Sequence, residues 1–118
     1  MTGRLEQFRA YREKMNARIH QEGTLLTKRF FNIDTQCYQP GALDGKTKEM
    51  LGLAASMVLR CDDCISYHVV RCAEEGVTRP ELMEVFDVSL VVGGSIVIPH
   101  LRRAHELLDE LMPPAAEG

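Results

Sequence analysis

The chain has 118 residues, of which 45% are hydrophobic, and a formal net charge of -3 from 14 Lys and Arg against 17 Asp and Glu. This length supports one hydrophobic core and is too short for two ordinary domains, so we predict a single domain over 1–118. The basic residues are scattered rather than clustered, which argues against nucleic acid as a partner. The charged N-terminus lacks the apolar run of a secretory signal, so we expect a cytoplasmic protein.

Apolar residues recur at helical spacing along the whole chain, which predicts an all-α fold of about six helices. An N-terminal helix is expected over 1–22, and Gly23 ends it. One face of this helix is apolar and carries Leu5, Phe8, Met15 and Ile19. A helical core should follow over 25–112, with a flexible tail over 113–118.

Within the helical core, a second helix is predicted over about 25–38 and a third over 46–59. Asp44 stands where it can cap the third helix. The fourth helix should end at Gly76, because a left-handed glycine commonly follows a helix. It begins at the cysteine motif described below, so that motif lies at the start of a core helix.

The fifth helix has the clearest start signal, since Thr78 and Glu81 have the spacing of a capping box. The apolar stretch Val85–Ile98 is interrupted by Asp87 and is shorter than the ~20 residues that a membrane-spanning helix needs. We predict that this stretch is buried core, and its Val and Ile content would also suit a subunit interface. A last amphipathic helix follows, marked by Leu101, Ala104, Leu108 and Leu111.

The most informative motif is Cys61-Asp62-Asp63-Cys64, followed by His68 four residues later. Side chains three and four residues apart share one face of a helix. His68 can therefore take a proton from Cys64, and Cys61 can form a disulfide with Cys64. Thiols near a helix N-terminus also gain from its partial positive charge. The pattern therefore indicates a dithiol redox site.

Two other interpretations of this helix stay open. The cysteines and His68 also fit the stripe of an ordinary core-facing helix, and we assign Cys37 and Cys72 to the core. A structural metal site is disfavoured, because the Cys and His donors of this helix extend over ~16 Å and cannot close a tetrahedron. We accordingly predict neither a metal nor a cofactor.

A general base is usually oriented by a third group, and Glu49 is the carboxylate that the sequence offers. It lies among apolar residues of the third helix. If the third and fourth helices form an antiparallel hairpin, Glu49 and His68 can come level. The alternative is an exposed Glu in the first turn of a helix, where the helix dipole favours it.

Taken together, Glu49, Cys61, Cys64 and His68 resemble the signature of the AhpD-like alkylhydroperoxidases of the carboxymuconolactone decarboxylase superfamily, over about residues 25 to 112. The resemblance implies an all-helical fold and subunits that assemble as homotrimers or homohexamers. It implies that Cys64 attacks a hydroperoxide, that Cys61 resolves the sulfenic acid as a disulfide, and that Glu49 and His68 relay protons. A lipoylated or thioredoxin-like dithiol protein would be the reductant.

The chain departs from these alkylhydroperoxidases in two ways. They carry a histidine immediately before the second cysteine, where this chain has Asp63, so thiolate activation could be weaker. They are also longer, with two related helical halves. General dithiol-disulfide exchange, a carboxymuconolactone decarboxylase-type lyase and a non-enzymatic thiol redox sensor are the alternatives. The cysteine pair disfavours the lyase, and a sensor would need neither Glu49 nor His68.

Overall fold

The structure of the protein is a computed structural model in which residues 3–114 are described, and the regular elements among them are all helical. This confirms the predicted all-α class. The α-helices are α1 (Arg4–Glu22), α2 (Leu25–Cys37), α3 (Gly45–Leu59), α4 (Asp62–Glu74), α5 (Arg79–Gly93) and α6 (Ile98–Leu111), with a 3-10 turn at Ser95–Val97. Most of the predicted tail, 113–118, lies outside the described residues, as do residues 1 and 2.

Local sequence signals set several helix ends. The Asp44 side chain accepts a hydrogen bond from Thr47 N at 2.7 Å and caps α3. At α5, Thr78 and Glu81 form both halves of a capping box. Gly76 follows α4 with φ 84°, a left-handed conformation that glycine adopts without a steric penalty. These three predictions are confirmed.

The connection between α3 and α4 is a tight reversal at Arg60 and Cys61. Arg60 has φ 61° and ψ 43°, a left-handed conformation that costs a residue with a side chain roughly 1 to 2 kcal/mol. Backbone hydrogen bonds of 3.1 Å hold the reversal, from Arg60 N to Met57 O and from Cys61 N to Ser56 O. The reversal packs α3 against α4 and leaves Cys61 at the N-cap position of α4.

The hydrophobic core lies between α3, α4, α5 and α6. Its buried members include Leu53, Met57, Ile65, Val69, Cys72, Leu82, Phe86, Leu107 and Leu108. Cys72 therefore belongs to the core, as predicted. The same prediction is wrong for Cys37, which is exposed at the end of α2 because α2 buries none of its residues.

Helix α1 lies across α6 and α4 and also buries no residue. Two contacts of arginines mark its position. The Arg4 guanidinium lies 3.4 Å from the Glu106 carboxylate on α6, and the Arg12 guanidinium lies 4.3 Å from the centre of the Tyr67 ring on α4. Its predicted apolar face is only partly covered, and Ile19 stays 39% exposed.

Two outer faces carry exposed apolar side chains. They are Leu25, Leu26, Phe30 and Ile33 on α2, and Val88, Val91 and Val92 on α5. The stretch Val85–Ile98 is thus only partly core, with Phe86 and Val97 buried and Val91 86% exposed. Within residues 3–114, no helix combines the length and the apolar character needed to cross a membrane.

Candidate active site

The two cysteines of the motif lie together at the N-terminus of α4. Cys61 is the N-cap residue, and its Sγ accepts a hydrogen bond from Cys64 N at 3.3 Å. Both are free thiols, with Cys61 partly exposed and Cys64 exposed. The thiols therefore occupy the end of the helix where backbone N–H groups and the helix dipole favour negative charge.

The immediate surroundings nevertheless keep Cys64 protonated. Its hydrogen bond with Cys61, partial burial and the negative charge of Asp63 raise the pKa of Cys64 from 9.0 to about 11. The backbone N–H of Cys64 donates its hydrogen bond to the sulfur of Cys61. Ionisation of Cys64 at neutral pH consequently needs a group that accepts its proton.

Glu49 of α3 and His68 of α4 form a buried pair. His68 Nδ1 lies 2.8 Å from Glu49 Oε2, and Glu49 is only 1% exposed. Gly52 of α3 makes room for the imidazole, since a Cβ at that position would lie 2.6 Å from His68 Cε1. Glu49 is thus not an exposed first-turn acid, and the hairpin of α3 and α4 brings it level with His68.

The second carboxylate oxygen of Glu49, Oε1, has a weaker set of contacts. Arg71 Nε lies 3.4 Å from Oε1, close enough for an ion pair. Within the described part of the chain, however, this buried oxygen accepts no hydrogen bond. Glu49 therefore depends on His68 for its one close hydrogen bond, and the imidazole is correspondingly fixed in orientation.

The other imidazole nitrogen faces tyrosine. Tyr38 OH lies 3.4 Å from His68 Nε2, and the ring of Tyr67 packs edge-on against the imidazole at 5.0 Å between centroids. In residues 3–114, no hydrogen bond joins His68 to Cys64, although the sequence spacing predicts that His68 can reach back to this thiol. Sequence reasoning missed Tyr38, since it lies 30 residues away, just after the end of α2, and no local spacing links the two.

Cys64 and His68 do share a cavity. It has a volume of about 750 Å³ and lies between α1 and α4. The α1 wall includes Phe8, Tyr11, Arg12, Met15 and Ile19, and the α4 wall includes Asp63, Cys64, Tyr67 and His68. A bound molecule or water in this cavity can therefore contact the thiol and the imidazole together.

A second polar cluster, also missed from the sequence, joins the first residue of α4 to α6. Asp62 accepts hydrogen bonds from His100 Nδ1 at 2.8 Å and from Arg103 Nε at 3.0 Å. Partial burial acts to raise the pKa of Asp62, but these two hydrogen bonds outweigh it and lower the pKa. The acid beside Cys61 is therefore ionised and paired.

The remaining cysteine of α4 is Cys72, which is buried. Burial, and then the charge of Glu49, raise the pKa of Cys72 from 9.0 to about 12. Cys72 thus stays a neutral thiol in the core. Among the residues that the structure describes, no group of three or more His, Cys, Asp or Glu side chains is placed to hold a metal ion.

Comparisons with known proteins agree on one family. The model of the carboxymuconolactone decarboxylase family matches residues 24–106. A family member from Thermotoga maritima, suggested to take part in an antioxidative response, is 59% identical, with a TM-score of 0.84 over 89% of both chains. Another from Legionella pneumophila is 25% identical, with a TM-score of 0.82 over 90% of this chain and 95% of that one.

A relative of known sequence extends the comparison. Uncharacterized protein 4 in the cox locus of Paracoccus denitrificans is 29% identical over 89 residues, which are 75% of this chain and 80% of the relative. The residues matched by the family model include both cysteines of the motif and the Glu49–His68 pair. On the family match and the shared fold, the chain belongs to the carboxymuconolactone decarboxylase family.

Proposed function

We propose that the protein is an AhpD-like dithiol oxidoreductase that reduces organic hydroperoxides through Cys61 and Cys64, with Glu49 and His68 as the proton relay. The observation that carries this proposal is that Cys64 and His68 line one cavity while Glu49 contacts the imidazole through a buried hydrogen bond. The antioxidative response suggested for the Thermotoga maritima relative supports the same chemistry.

The hydrogen bond to Glu49 sets which imidazole nitrogen is basic. A carboxylate only accepts hydrogen bonds, so the neutral imidazole donates Nδ1–H to Glu49 and keeps the lone pair on Nε2. That nitrogen lies 3.4 Å from Tyr38 OH, and the His68 side chain lines the cavity. His68 then takes the Cys64 proton through a water or the bound substrate, and Glu49 stabilises the imidazolium that forms.

The proposed reaction first oxidises Cys64 and then joins it to Cys61. The Cys64 thiolate attacks the terminal oxygen of R–OOH, the O–O bond breaks, and the alkoxide leaves as ROH after taking the proton held by His68. Cys64 is then a sulfenic acid. The Cys61 thiol attacks this sulfur, releases water and forms a disulfide. Two electrons and two protons from a dithiol partner, lipoylated or thioredoxin-like, restore both thiols.

The test is whether the thiol pair reacts as a unit. One equivalent of cumene hydroperoxide should convert Cys61 and Cys64 into an intramolecular disulfide, detected by mass spectrometry, and should leave Cys72 reduced as an internal control. In Cys61→Ser, Cys64 should stop at the sulfenic acid and react with dimedone. Oxidation of Cys72 at a similar rate, or no disulfide at all, would refute the proposed function.

A second candidate is dithiol-disulfide exchange led by Cys61. Its support is the hydrogen bond from Cys64 N to the Cys61 sulfur, together with the raised pKa of Cys64. The two candidates differ in which thiol reacts first. If Cys61 in Cys64→Ser is alkylated faster at pH 7 than Cys64 in Cys61→Ser, exchange led by Cys61 is favoured over attack by Cys64.

We also propose that the protein works as a homotrimer or homohexamer. The exposed apolar faces of α2 and α5, which include Phe30 and Val91, suit burial against further copies. Light scattering at micromolar concentration should give at least three subunits, and Val91→Glu should shift the protein toward smaller species. A stable monomer in the unmodified protein would contradict this.

A further inference from the structure

The two acids between the cysteines have different environments. Asp62 is held by His100 Nδ1 and Arg103 Nε from α6. Asp63 is exposed, and within residues 3–114 it forms no ion pair. The negative charge of Asp63 contributes to the raised pKa of Cys64. One of the two charges beside the thiols is therefore compensated by another helix, and the other is not.

We propose that Arg103, assisted by His100, is a positioning residue that neutralises Asp62 and so preserves the reactivity of the Cys61–Cys64 pair. This inference rests on the proposed dithiol function. Asp62 directly follows Cys61, and an uncompensated carboxylate there would oppose a thiolate on either cysteine. The guanidinium on α6 offsets that charge and also ties the first turn of α4 to the neighbouring helix.

Other titratable groups also lie around the thiols and stay the same in every variant of the test below. Those facing the pair or its cavity are Asp63 and His68 on α4, Glu49 on α3, Asp34 on α2, and Arg4 and Arg12 on α1. Arg4 pairs with Glu106, and Arg12 lies over Tyr67. From α6, the Arg103 guanidinium and the His100 imidazole reach Asp62 in the first turn of α4.

The first experiment compares two adjacent arginines of α6. Arg103→Gln should slow alkylation of Cys64 by iodoacetamide at pH 7 by about three- to tenfold. It should also move the rise of the alkylation rate to higher pH. The reason is that a largely solvated neighbouring charge shifts a pKa by roughly half a unit to one unit. Arg103→Lys should restore most of the rate. The matched control is Arg102→Gln, which removes an exposed arginine outside the cluster and should leave the rate unchanged.

The second experiment separates charge from structure. Asp62→Asn should not slow Cys64, since it removes the opposing charge, and combining it with Arg103→Gln should return the rate to within about twofold of the unmodified protein. A merely structural cluster would instead make Asp62→Asn as slow as Arg103→Gln and the double variant slower still. That result, with circular dichroism showing all variants folded, would overturn the inference.

Alkylation is measured without peroxide, so the outcome is independent of turnover. If the alkylation rates of the Arg103 and Asp62 variants are as expected but hydroperoxide forms no disulfide, the peroxidase proposal fails and the role of Arg103 stands. If the disulfide forms normally but Arg103→Gln reacts like Arg102→Gln, the role of Arg103 fails and the proposed function stands.

Discussion

Substitution of Gly52 tests the Glu49–His68 pair without altering either residue. In Gly52→Ala, the added methyl carbon would lie 2.6 Å from His68 Cε1, 2.8 Å from Nε2 and 2.9 Å from Nδ1. Ordinary contact begins at 3.4 Å, so the imidazole must retreat by about 0.8 Å. Because Glu49 lies on the same helix as Gly52, that retreat also draws His68 away from Glu49.

The size of the effect follows from this displacement. The Nδ1 to Oε2 distance of 2.8 Å would grow to about 3.6 Å, beyond hydrogen-bond range. A buried carboxylate that loses its close partner costs about 3 kcal/mol or more, because the group is charged, whereas Ala in place of Gly in a helix interior gains about 1 kcal/mol. The ion pair of Glu49 with Arg71 remains, so we expect Gly52→Ala to be folded, with about 2 kcal/mol or more of lost stability.

Activity should fall much further than stability. Removing a positioned base typically costs about 100- to 10,000-fold in rate. The assay is reduction of cumene hydroperoxide with a dithiol reductant, with thermal unfolding and the His68 NMR signals measured on the same samples. The matched control is Gly45→Ala at the start of the same helix, where the new Cβ would lie 3.3 Å from the flexible end of Glu75 and should change neither quantity.

One result would refute this reasoning. If Gly52→Ala turns over hydroperoxide at the unmodified rate while its His68 signals shift, the imidazole has moved and the reaction does not need it in place. A loss of activity matched by a similar loss in Gly45→Ala would assign the effect to α3 as a whole.

Three further predictions concern the same site. Glu49→Gln, His68→Gln and the double variant should all be similarly impaired in peroxide turnover, because the two residues act as a unit; multiplicative losses would contradict a relay. With the pKa of Cys64 raised to about 11, its alkylation by iodoacetamide should accelerate about tenfold per pH unit from pH 7 toward 10, and a plateau near pH 8 would show a much lower pKa. Phe8→Ala and Met15→Ala should raise the KM for cumene hydroperoxide several-fold and leave the rate with hydrogen peroxide unchanged. Equal effects with the two peroxides would show that α1 does not contact the substrate.

The fold was largely predictable because its signals are local. Helix caps at Asp44 and Thr78 and the left-handed Gly76 each depend on residues within one turn of one another, so spacing alone identifies them. That Glu49 and His68 lie close together was predictable for a similar reason. A two-residue reversal between α3 and α4 leaves few registers in which one helix can face the other.

The rest of the site depends on contacts between distant segments. Tyr38 approaches His68 across 30 residues, and Arg103 approaches Asp62 across 41. No periodicity within one helix encodes such pairs, because they depend on how the helices cross. Cys37 was misassigned because cysteine is usually buried, whereas α2 lies outside the core altogether.

The position of α1 has a consequence for how this protein can diverge. It forms one wall of the cavity at Cys64, buries none of its own residues and precedes the region, 24–106, that matches the family model. Apart from Leu5, which packs against the core, α1 can therefore take new side chains at little cost in folding free energy. Selection, or a designer who exchanges this helix between homologues, can remodel one wall of the cavity while Cys61, Cys64, Glu49 and His68 stay as they are.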